Sequence, residues 1–322
     1  MIQTPEHPNW KCHMTRIALA GAALCFITIA AAAPENEIIR VGLIQMAGKE
    51  FDKQHNLDRA EELIRNAVGR GAQIVCTPEV AVQGYPRVSL PEGASIDDPE
   101  RVAMRAKILA AAEPVPGPAT DRFARLAQDL SVWIIVGLDE NRSGKLFNSA
   151  VLINPKGAIV GKYSKVHLQN WMIASGVNHG DEFPVWDVNI GGVKTKLGIQ
   201  ICYDIQHPES TRELVLGGAE LVFVPYCTND FARPLLVHLF QTRALENRAY
   251  VIRINHAAPR SNGTSSIIGF EGSTLDELDS AENVLVGNLD LTALRKIRSA
   301  WNKVYGPANR YPEAYKRIRS AP

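Results

Sequence analysis

Cysteines are few in this 322-residue sequence, and their spacing excludes two common uses of the residue. Five are present, at Cys12, Cys25, Cys76, Cys202 and Cys227. No pair has CxxC spacing, and an odd number, three, follow residue 33, so neither a disulfide framework nor a zinc motif is indicated. A single reactive thiol is still compatible with this pattern.

Net charge is also nearly absent, because 35 lysines and arginines balance 34 aspartates and glutamates to leave +1. This balance gives no reason to expect binding to nucleic acid or to an anionic membrane surface. Neither an internal repeat nor a low-complexity tract is apparent. The 46% hydrophobic content fits a soluble globular protein with a sizeable core, and the length suits one large domain or two small ones.

The segment 1–33 has the features of a leader rather than of a folded domain. Residues 17–33 are apolar and rich in alanine, follow Arg16, and end in a run of alanines at 30–33. This is the layout of a secretory signal peptide, with Met14 as the expected true start because the polar segment before it is longer than an n-region needs. The alternative is an uncleaved membrane anchor, although the run is short for a spanning helix. We expect a protein that is exported to the periplasm or secreted.

From residue 38 onward, strand-length apolar runs alternate with amphipathic helical patterns. The predicted strands are 38–45, 73–76, 133–138, 146–153, 159–163, 183–188, 193–201, 221–224, 249–254, 267–270 and 284–289. The predicted helices are 57–67, 98–109, 120–130, one that begins at Pro208, 235–248 and 290–298. No break in composition divides this region, so we expect one α/β domain over 38–298 and a polar surface tail over 299–322.

Three predicted strands are followed by a side chain that can do chemistry. Glu79 follows the second strand, Lys165 the fifth and Cys202 the seventh. A cysteine between a strand and a helix start has the geometry of an exposed nucleophile, and backbone N–H groups at such a turn can receive an oxyanion. On local evidence alone, Cys202 is equally well explained as a buried structural cysteine, and Glu79 as a solvated helix cap.

Four short motifs around these residues occur in order along the chain. They are Pro78-Glu79 with Gly84-Tyr85, residues 163–168 (YSKVHL), residues 198–204 (GIQICYD) with Pro208-Glu209, and residues 243–247 (RALEN) with Tyr250-Val251 and Asn255. Together they make the sequence resemble the nitrilase superfamily, also called carbon–nitrogen hydrolases, over nearly all of 38–298. Each motif is weak alone, but four in this order are specific.

The resemblance implies an αββα four-layer sandwich, usually paired into a homodimer, and a catalytic triad of Glu79, Lys165 and Cys202. It requires neither a metal nor an organic cofactor. In the implied chemistry Glu79 takes the thiol proton, Cys202 attacks the substrate carbon and Lys165 stabilises the oxyanion. Because a free thiol titrates near ~8.5, only a small part of it is thiolate at neutral pH, and a nearby base is useful.

Two departures from the superfamily pattern lie close to the predicted triad. Members often carry a further glutamate after the lysine motif, whereas residues 166–180 contain neither Asp nor Glu. Gln206 stands where many members have an arginine, often with a structural role. Four side chains are candidates to replace the missing glutamate: Gln169, Asn170, Asn178 and Glu182.

The residues after Cys202 favour an amide or N-carbamoyl substrate. They are Tyr203-Asp204, whereas members that cleave nitriles usually have Trp-Glu there. No arginine follows directly to pair a substrate carboxylate, as N-carbamoyl amino acid hydrolases often have. The predicted substrate-binding residues are Tyr85, Tyr203, Asn229 and Phe231. Three histidines are expected to be structural because their spacing suits no zinc site: His167, His207 and His238.

We therefore expect a hydrolase that cleaves a linear amide or N-carbamoyl group through a cysteine thioester. Its expected partner is a small-molecule amide, ureido or nitrile substrate. Three alternatives stay open: a nitrilase that forms acid and ammonia, an exported binding protein without turnover, and an acyltransferase of the same fold. The missing second glutamate is the observation that favours the inactive protein.

The leader gives the first testable prediction. If it is a cleaved signal peptide, protein recovered from the periplasm or the medium should begin shortly after residue 33. N-terminal sequencing of the exported protein checks this, and an intact Met1 on a protein found only in the cytosol would contradict it.

Overall fold

Two β-sheets form the centre of the described structure. The computed structural model describes residues 36–86, 97–228, 233–304, 306 and 310–319. The predicted leader, with its expected start at Met14, lies outside these ranges. No helix within them is both long and apolar enough to cross a membrane.

Apolar runs form the strands, and amphipathic segments form the helices between them. The strands are β1 Ile38–Gln45, β2 Ile74–Cys76, β3 Trp133–Arg142, β4 Lys145–Ile153, β5 Ile159–Ser164, β6 Val185–Ile190, β7 Val193–Ile199, β8 Leu221–Pro225, β9 Tyr250–Ile254, β10 Ser266–Ile268, β11 Thr274–Glu277 and β12 Asn283–Asp290. The α-helices are α1 Lys53–Gly69, α2 Pro99–Ala111, α3 Pro118–Leu130, α4 Asn170–Ala174, α5 Pro208–Leu216, α6 Arg233–Asn247, α7 Leu291–Val304 and α8 Lys316–Arg319. Short 3₁₀ helices cover Cys202–Gln206 and Pro312–Ala314.

The sheet topology brings several strand ends to one edge. The strand order is β12-β1-β2-β3-β4-β5 in the first sheet and β11-β10-β9-β8-β7-β6 in the second. β2 and β3 are parallel, while β4 is antiparallel to both β3 and β5. The carboxyl ends of β2, β3 and β5 therefore lie at the same edge of the first sheet, which is where ligand sites collect in α/β proteins.

Alternation of side chains along the first sheet explains the layers. Val41 and Leu43 belong to a buried cluster that also contains Phe223 of the second sheet, so the two sheets pack face to face. Ile44, on the opposite face, belongs to a second cluster with Ile64 of α1 and with residues of α3. Helices α5 and α6 pack on β7 and β9 of the second sheet. The order helix, sheet, sheet, helix confirms the predicted αββα four-layer sandwich.

Three predictions about individual elements need correction. The strand before the cysteine ends at Ile199 rather than 201, because the N–H of Ile201 donates to the Asp204 carboxylate at 2.8 Å instead of to a neighbouring strand. The last long helix runs to Val304 rather than 298. Neither β11 nor α4 was predicted from the sequence. Both are short, and β11 is too polar to show the alternation of a strand.

A close backbone approach at Gly137 on β3 gives a stability prediction. A Cβ there would lie 2.4 Å from the carbonyl oxygen of Pro78 and 2.9 Å from the N of Val80. Gly137→Ala should therefore displace the Pro78–Val80 segment and lower the free energy of unfolding by about 1–3 kcal/mol, measured by urea denaturation. Gly69→Ala is the control, because a Cβ at Gly69 meets nothing within 4 Å. Equal stabilities of the two variants would contradict the prediction.

Candidate active site

Glu79 and Lys165 meet at the shared edge of the first sheet. Lys165 Nζ donates to Glu79 Oε1 at 2.7 Å, and both side chains are completely buried. Cys202, at the end of β7 in the second sheet, is 4% exposed and interacts electrostatically with both charges. The structure thus brings together the three residues predicted to be catalytic.

The Glu79 side chain is held at one oxygen and free at the other. Oε1 accepts a hydrogen bond from Asn148 Nδ2 at 2.8 Å in addition to the bond from Lys165. The backbone carbonyl of Glu79 accepts a hydrogen bond from His256 Nε2 at 2.7 Å. Oε2 is buried and has no hydrogen-bond partner among the residues that the structure describes. A carboxylate oxygen in this state is available to accept a proton.

Lys165 is fixed through its backbone and is charged. Its N–H donates to the carbonyl of Asn148 at 2.8 Å, so Asn148 holds both members of the ion pair. Burial by itself would lower the pKa of Lys165, but the acidic groups of Cys202, Glu79 and Asp204 outweigh it and raise the pKa above its ordinary value. The ammonium form is therefore the stable one across the neutral range.

The backbone at Cys202 has a conformation that few non-glycine residues adopt. Its φ is +49°, in the left-handed region, and it opens the 3₁₀ helix Cys202–Gln206. The first hydrogen bond of that helix runs from Asp204 N to Ile201 O at 3.1 Å. The N–H of Tyr203 therefore lies in the open first turn, where it can donate to an anion.

Asp204 ties the cysteine turn to the lysine motif. Oδ2 accepts from Ile201 N at 2.8 Å and from the Tyr163 hydroxyl at 2.6 Å. Oδ1 accepts from His167 N at 2.8 Å. Because Tyr163 and His167 flank Lys165 in sequence, this single carboxylate fixes the nucleophile turn relative to the lysine.

The far end of the turn is held by Arg243 from the downstream motif. Arg243 Nε donates to the carbonyl of Ile205 at 3.1 Å, and Nη2 donates to the carbonyl of Gln206 at 3.2 Å. A buried arginine thus caps the carbonyls beside Gln206, so the turn is braced although Gln206 itself is not an arginine.

The surroundings of the Cys202 thiol favour its protonated form. Burial, and then the negative charge of Glu79, raise the pKa of Cys202 well above its ordinary value, and the ammonium of Lys165 only partly offsets this. Burial also raises the pKa of Cys76, which lies in the core. A reaction at Cys202 therefore needs a base that accepts its proton.

The predicted substrate-binding residues have different surroundings. Tyr85 is buried, has its ring 6.2 Å from that of Trp171 in an edge contact, and lines a cavity next to Asn148. Tyr203 is half-buried and packs its ring against His207, with centroids 5.2 Å apart. Asn229 and Phe231 lie outside the described residues.

The histidines make structural contacts. His167 Nδ1 lies 2.9 Å from Asp204 Oδ1, and its ring stacks on His207 with centroids 3.8 Å apart. His238 Nδ1 lies 3.1 Å from Gln241 Oε1. Within the described ranges, no cluster of His, Cys, Asp or Glu side chains is arranged to hold a metal ion.

The four candidates for the missing glutamate are engaged elsewhere or exposed. Gln169 Oε1 accepts from Trp171 Nε1 at 2.9 Å, and Asn178 Nδ2 donates to the Leu146 carbonyl at 3.0 Å. Asn170 and Glu182 are exposed to solvent. None of these contacts leads to Glu79.

The carboxyl group of Asp139, which was not identified from the sequence, lies near Glu79. Burial and the charge of Glu79 raise the pKa of Asp139, near the end of β3, to about 8. Asp139 pairs across the β3–β4 hairpin with Asn148, the residue that holds Glu79. The available signal was that polar pairs, Asp139-Glu140 in β3 and Asn148-Ser149 in β4, directly adjoin the apolar runs of these strands.

Comparison with known proteins agrees with this geometry. The family model described as "Carbon-nitrogen hydrolase" matches residues 40–299. The chain belongs to the carbon–nitrogen hydrolase family. The resemblance to the nitrilase superfamily is therefore confirmed, and the protein is an amidase-type hydrolase that acts on carbon–nitrogen bonds.

Individual relatives of this hydrolase include amidases. It is 30% identical over 274 residues to Omega-amidase NIT2 of Xenopus tropicalis, covering 80% of this chain and 91% of the relative. It is 29% identical over 270 residues to a Nitrilase of Pyrococcus abyssi, covering 81% of this chain and 93% of the relative.

Solved structures of an amidase from Nesterenkonia sp. AN1 share the fold. A glutamate-to-glutamine mutant, with acrylamide added to the active-site cysteine, matches with a TM-score of 0.67 and 25% identity, covering 82% of this chain and 98% of that one. A cysteine-to-alanine mutant in complex with butyramide also gives 0.67 and 25%, covering 83% and 97%.

The role of Asp204 in the hydrolase gives a prediction. Asp204→Asn keeps the shape but replaces a charged acceptor of hydrogen bonds with a neutral amide. The free energy of unfolding should fall by about 1.5–3 kcal/mol in urea denaturation. Asp187→Asn is the matched control, because the Asp187 side chain is 81% exposed. A loss no greater than the control's would show that Asp204 does not brace the turn.

Proposed function

We propose that the hydrolase cleaves a linear amide or N-carbamoyl group of a small molecule through a thioester on Cys202. The observation that carries this proposal is the state of Glu79, whose Oε1 is paired with Lys165 while Oε2 is buried and unpaired among the described residues. Beside it lies a thiol that keeps its proton. Acid, ammonium and thiol together are the groups that acyl transfer to sulfur requires.

In the first half-reaction, the free oxygen of Glu79 takes the Cys202 proton as sulfur attacks the substrate carbonyl carbon. A C–S bond forms, and the carbonyl electron pair moves to oxygen. Lys165 Nζ and the N–H of Tyr203 donate to that oxyanion; losing one such donor typically costs about 10²–10³ in rate. General-base help of the kind given by Glu79 is worth roughly 10²–10⁴.

Collapse of this intermediate breaks the C–N bond. Glu79 returns the proton to the departing nitrogen, which leaves as ammonia or an amine, and the acyl group remains on Cys202. Water then attacks the thioester, and Glu79 accepts a proton from it. The acid leaves, and the sulfur regains a proton from Glu79, which closes the cycle.

Amides are the favoured substrate class. Tyr203-Asp204 after the nucleophile supports amide or N-carbamoyl hydrolysis, and the amidase relatives, one with butyramide bound, support a small amide. Nitrile hydrolysis is the second candidate, since a relative from Pyrococcus abyssi is a Nitrilase. Export and pairing into a homodimer complete the proposal, and both rest on the sequence arguments given above.

Replacing the triad residues tests the chemistry. Cys202→Ala should abolish release of acid and ammonia from butyramide, while Glu79→Gln and Lys165→Met should each lower kcat by at least about 10². Cys76→Ala is the matched control and should retain activity, because the buried Cys76 thiol is directed to the carbonyl of Thr77, at 3.4 Å.

Two outcomes would contradict the proposal. Undiminished turnover in Cys202→Ala would exclude the thioester. If the unchanged protein turns over neither amides, ureido compounds nor nitriles, and its Cys202 reacts with iodoacetamide no faster than Cys76 or Cys227, a binding protein without turnover would fit better.

A further inference from the structure

We propose that Asp139 is a substrate-binding residue which, with Asn148, receives a substrate nitrogen group that carries several N–H bonds. The inference rests on the proposed amide hydrolysis and predicts which chemical group is preferred at the far end of the substrate. It concerns a subsite beside the reacting carbon, not the thiol chemistry itself.

The hairpin register places Asp139 next to the catalytic carboxylate. Asp139 on β3 is directly opposite Asn148 on β4, so both side chains point to the same face of the sheet. Asn148 Nδ2 donates to Glu79 Oε1 at 2.8 Å. Asp139 and Asn148 therefore lie on paired strands, and Asn148 connects them to Glu79, which lies in the turn after β2.

Asp139 and Asn148 present buried oxygen atoms at this place. The Asp139 residue is 6% exposed, and its carboxyl group makes no hydrogen bond or ion pair with any described residue. Asn148 Oδ1 is also buried without a partner among those residues. Buried polar atoms are nearly always satisfied, and leaving one unpaired costs about 1–3 kcal/mol. An occupant that supplies several N–H donors would satisfy both residues.

The surrounding cavity fits a small nitrogen group on an apolar chain. Asp139 and Asn148 line it together with Tyr85, Trp171 and Met172. The room available to a water-sized group is about 20 Å³, enough for roughly one such group. Two aromatic rings beside a carboxyl group also favour a cation.

Charge argues against a carboxylate in this subsite. No lysine or arginine is among the described residues that line the cavity. Burial and the negative charge of Glu79 raise the pKa of Asp139 to about 8, so its neutral form predominates at neutral pH. A substrate carboxylate would lie near the negative Glu79 with no cation in the cavity to offset it, whereas an ammonium would stabilise an ionised Asp139. A neutral carboxamide or ureido –NH₂ would offer two donors without charge.

Steady-state kinetics on four linear primary amides of matched length would test this. Their far ends carry an ammonium, a carboxamide, a methyl or a carboxylate. We expect kcat/KM to favour the nitrogen-bearing ends over the methyl end by roughly 10-fold or more, with the carboxylate worst. Asp139→Leu should remove this preference, mainly through KM, so that the ratio of kcat/KM between the nitrogen-bearing and methyl ends approaches one. Asp187→Asn, at an exposed site, is the control.

A second variant distinguishes an ammonium from a neutral –NH₂ group as the occupant. Asp139→Asn keeps an oxygen acceptor but loses the carboxyl group that can ionise. If the occupant is an ammonium, Asn should abolish the preference; if it is a neutral –NH₂, Asn should keep much of it. Thermal unfolding of each variant shows that a loss is not one of folding.

Binding to Cys202→Ala protein keeps the test independent of turnover. The Kd of the preferred nitrogen-ended amide, measured by calorimetry, should rise roughly 10-fold or more when Asp139→Leu is added. Equal kcat/KM for nitrogen and methyl ends, or an unchanged Kd on adding Asp139→Leu, would overturn the inference. Failure of all four amides to react, with Asp139-dependent binding preserved, would refute the proposed hydrolysis and leave this subsite standing.

Discussion

The site depends on one buried ion pair, between the Lys165 ammonium and the Glu79 carboxylate at 2.7 Å. Burying two such charges is costly, and their attraction offsets the cost only if the geometry is fixed and the remaining polar atoms are satisfied. Asn148 meets the first condition by donating to Glu79 and by accepting from the Lys165 backbone. The second condition is met only in part, since Glu79 Oε2 lacks a donor among the described residues. That incomplete satisfaction leaves an oxygen free for the role of base that we propose for Glu79.

The ion pair lies at the edge of the first sheet and Cys202 follows a strand of the second, so the proposed chemistry needs the two sheets to be held together. Apolar packing gives a broad interface, but packing alone tolerates small displacements. The Asp204 carboxylate supplies directional contacts instead, with hydrogen bonds from Tyr163 in the first sheet and from Ile201, which follows β7 of the second. Arg243 holds the other end of the turn through the carbonyl of Ile205. The left-handed backbone of Cys202 is thus fixed from both sides, which is how a strained conformation persists at a reactive residue.

The sequence predicted the layers and the three converging residues because these follow from local patterns. A strand that ends before Glu79 or Lys165 sets the residue at a sheet edge whatever the rest of the chain does. Asn148 and Asp139 could not be found in this way, because their importance comes from the β3–β4 register, which no local pattern specifies. The four candidates for the missing glutamate were chosen by distance along the chain, whereas Asp139 is close to Glu79 in space but precedes Lys165 in sequence.

Charge balance in the buried site then determines which of its acidic groups hold a proton. Glu79, Cys202 and Asp139 are all acids, but Lys165 neutralises only one negative charge at a time. In the resting site Glu79 carries that charge, and burial raises the pKa of both Cys202 and Asp139. In the proposed mechanism Glu79 takes the thiol proton, and the charge moves to sulfur and then to the oxyanion, always beside the same ammonium. No step of that mechanism requires net charge to enter from solvent, so the three buried groups would not need the desolvation cost of creating a new ion. A carboxyl group kept neutral at Asp139 preserves that balance until a substrate nitrogen reaches it.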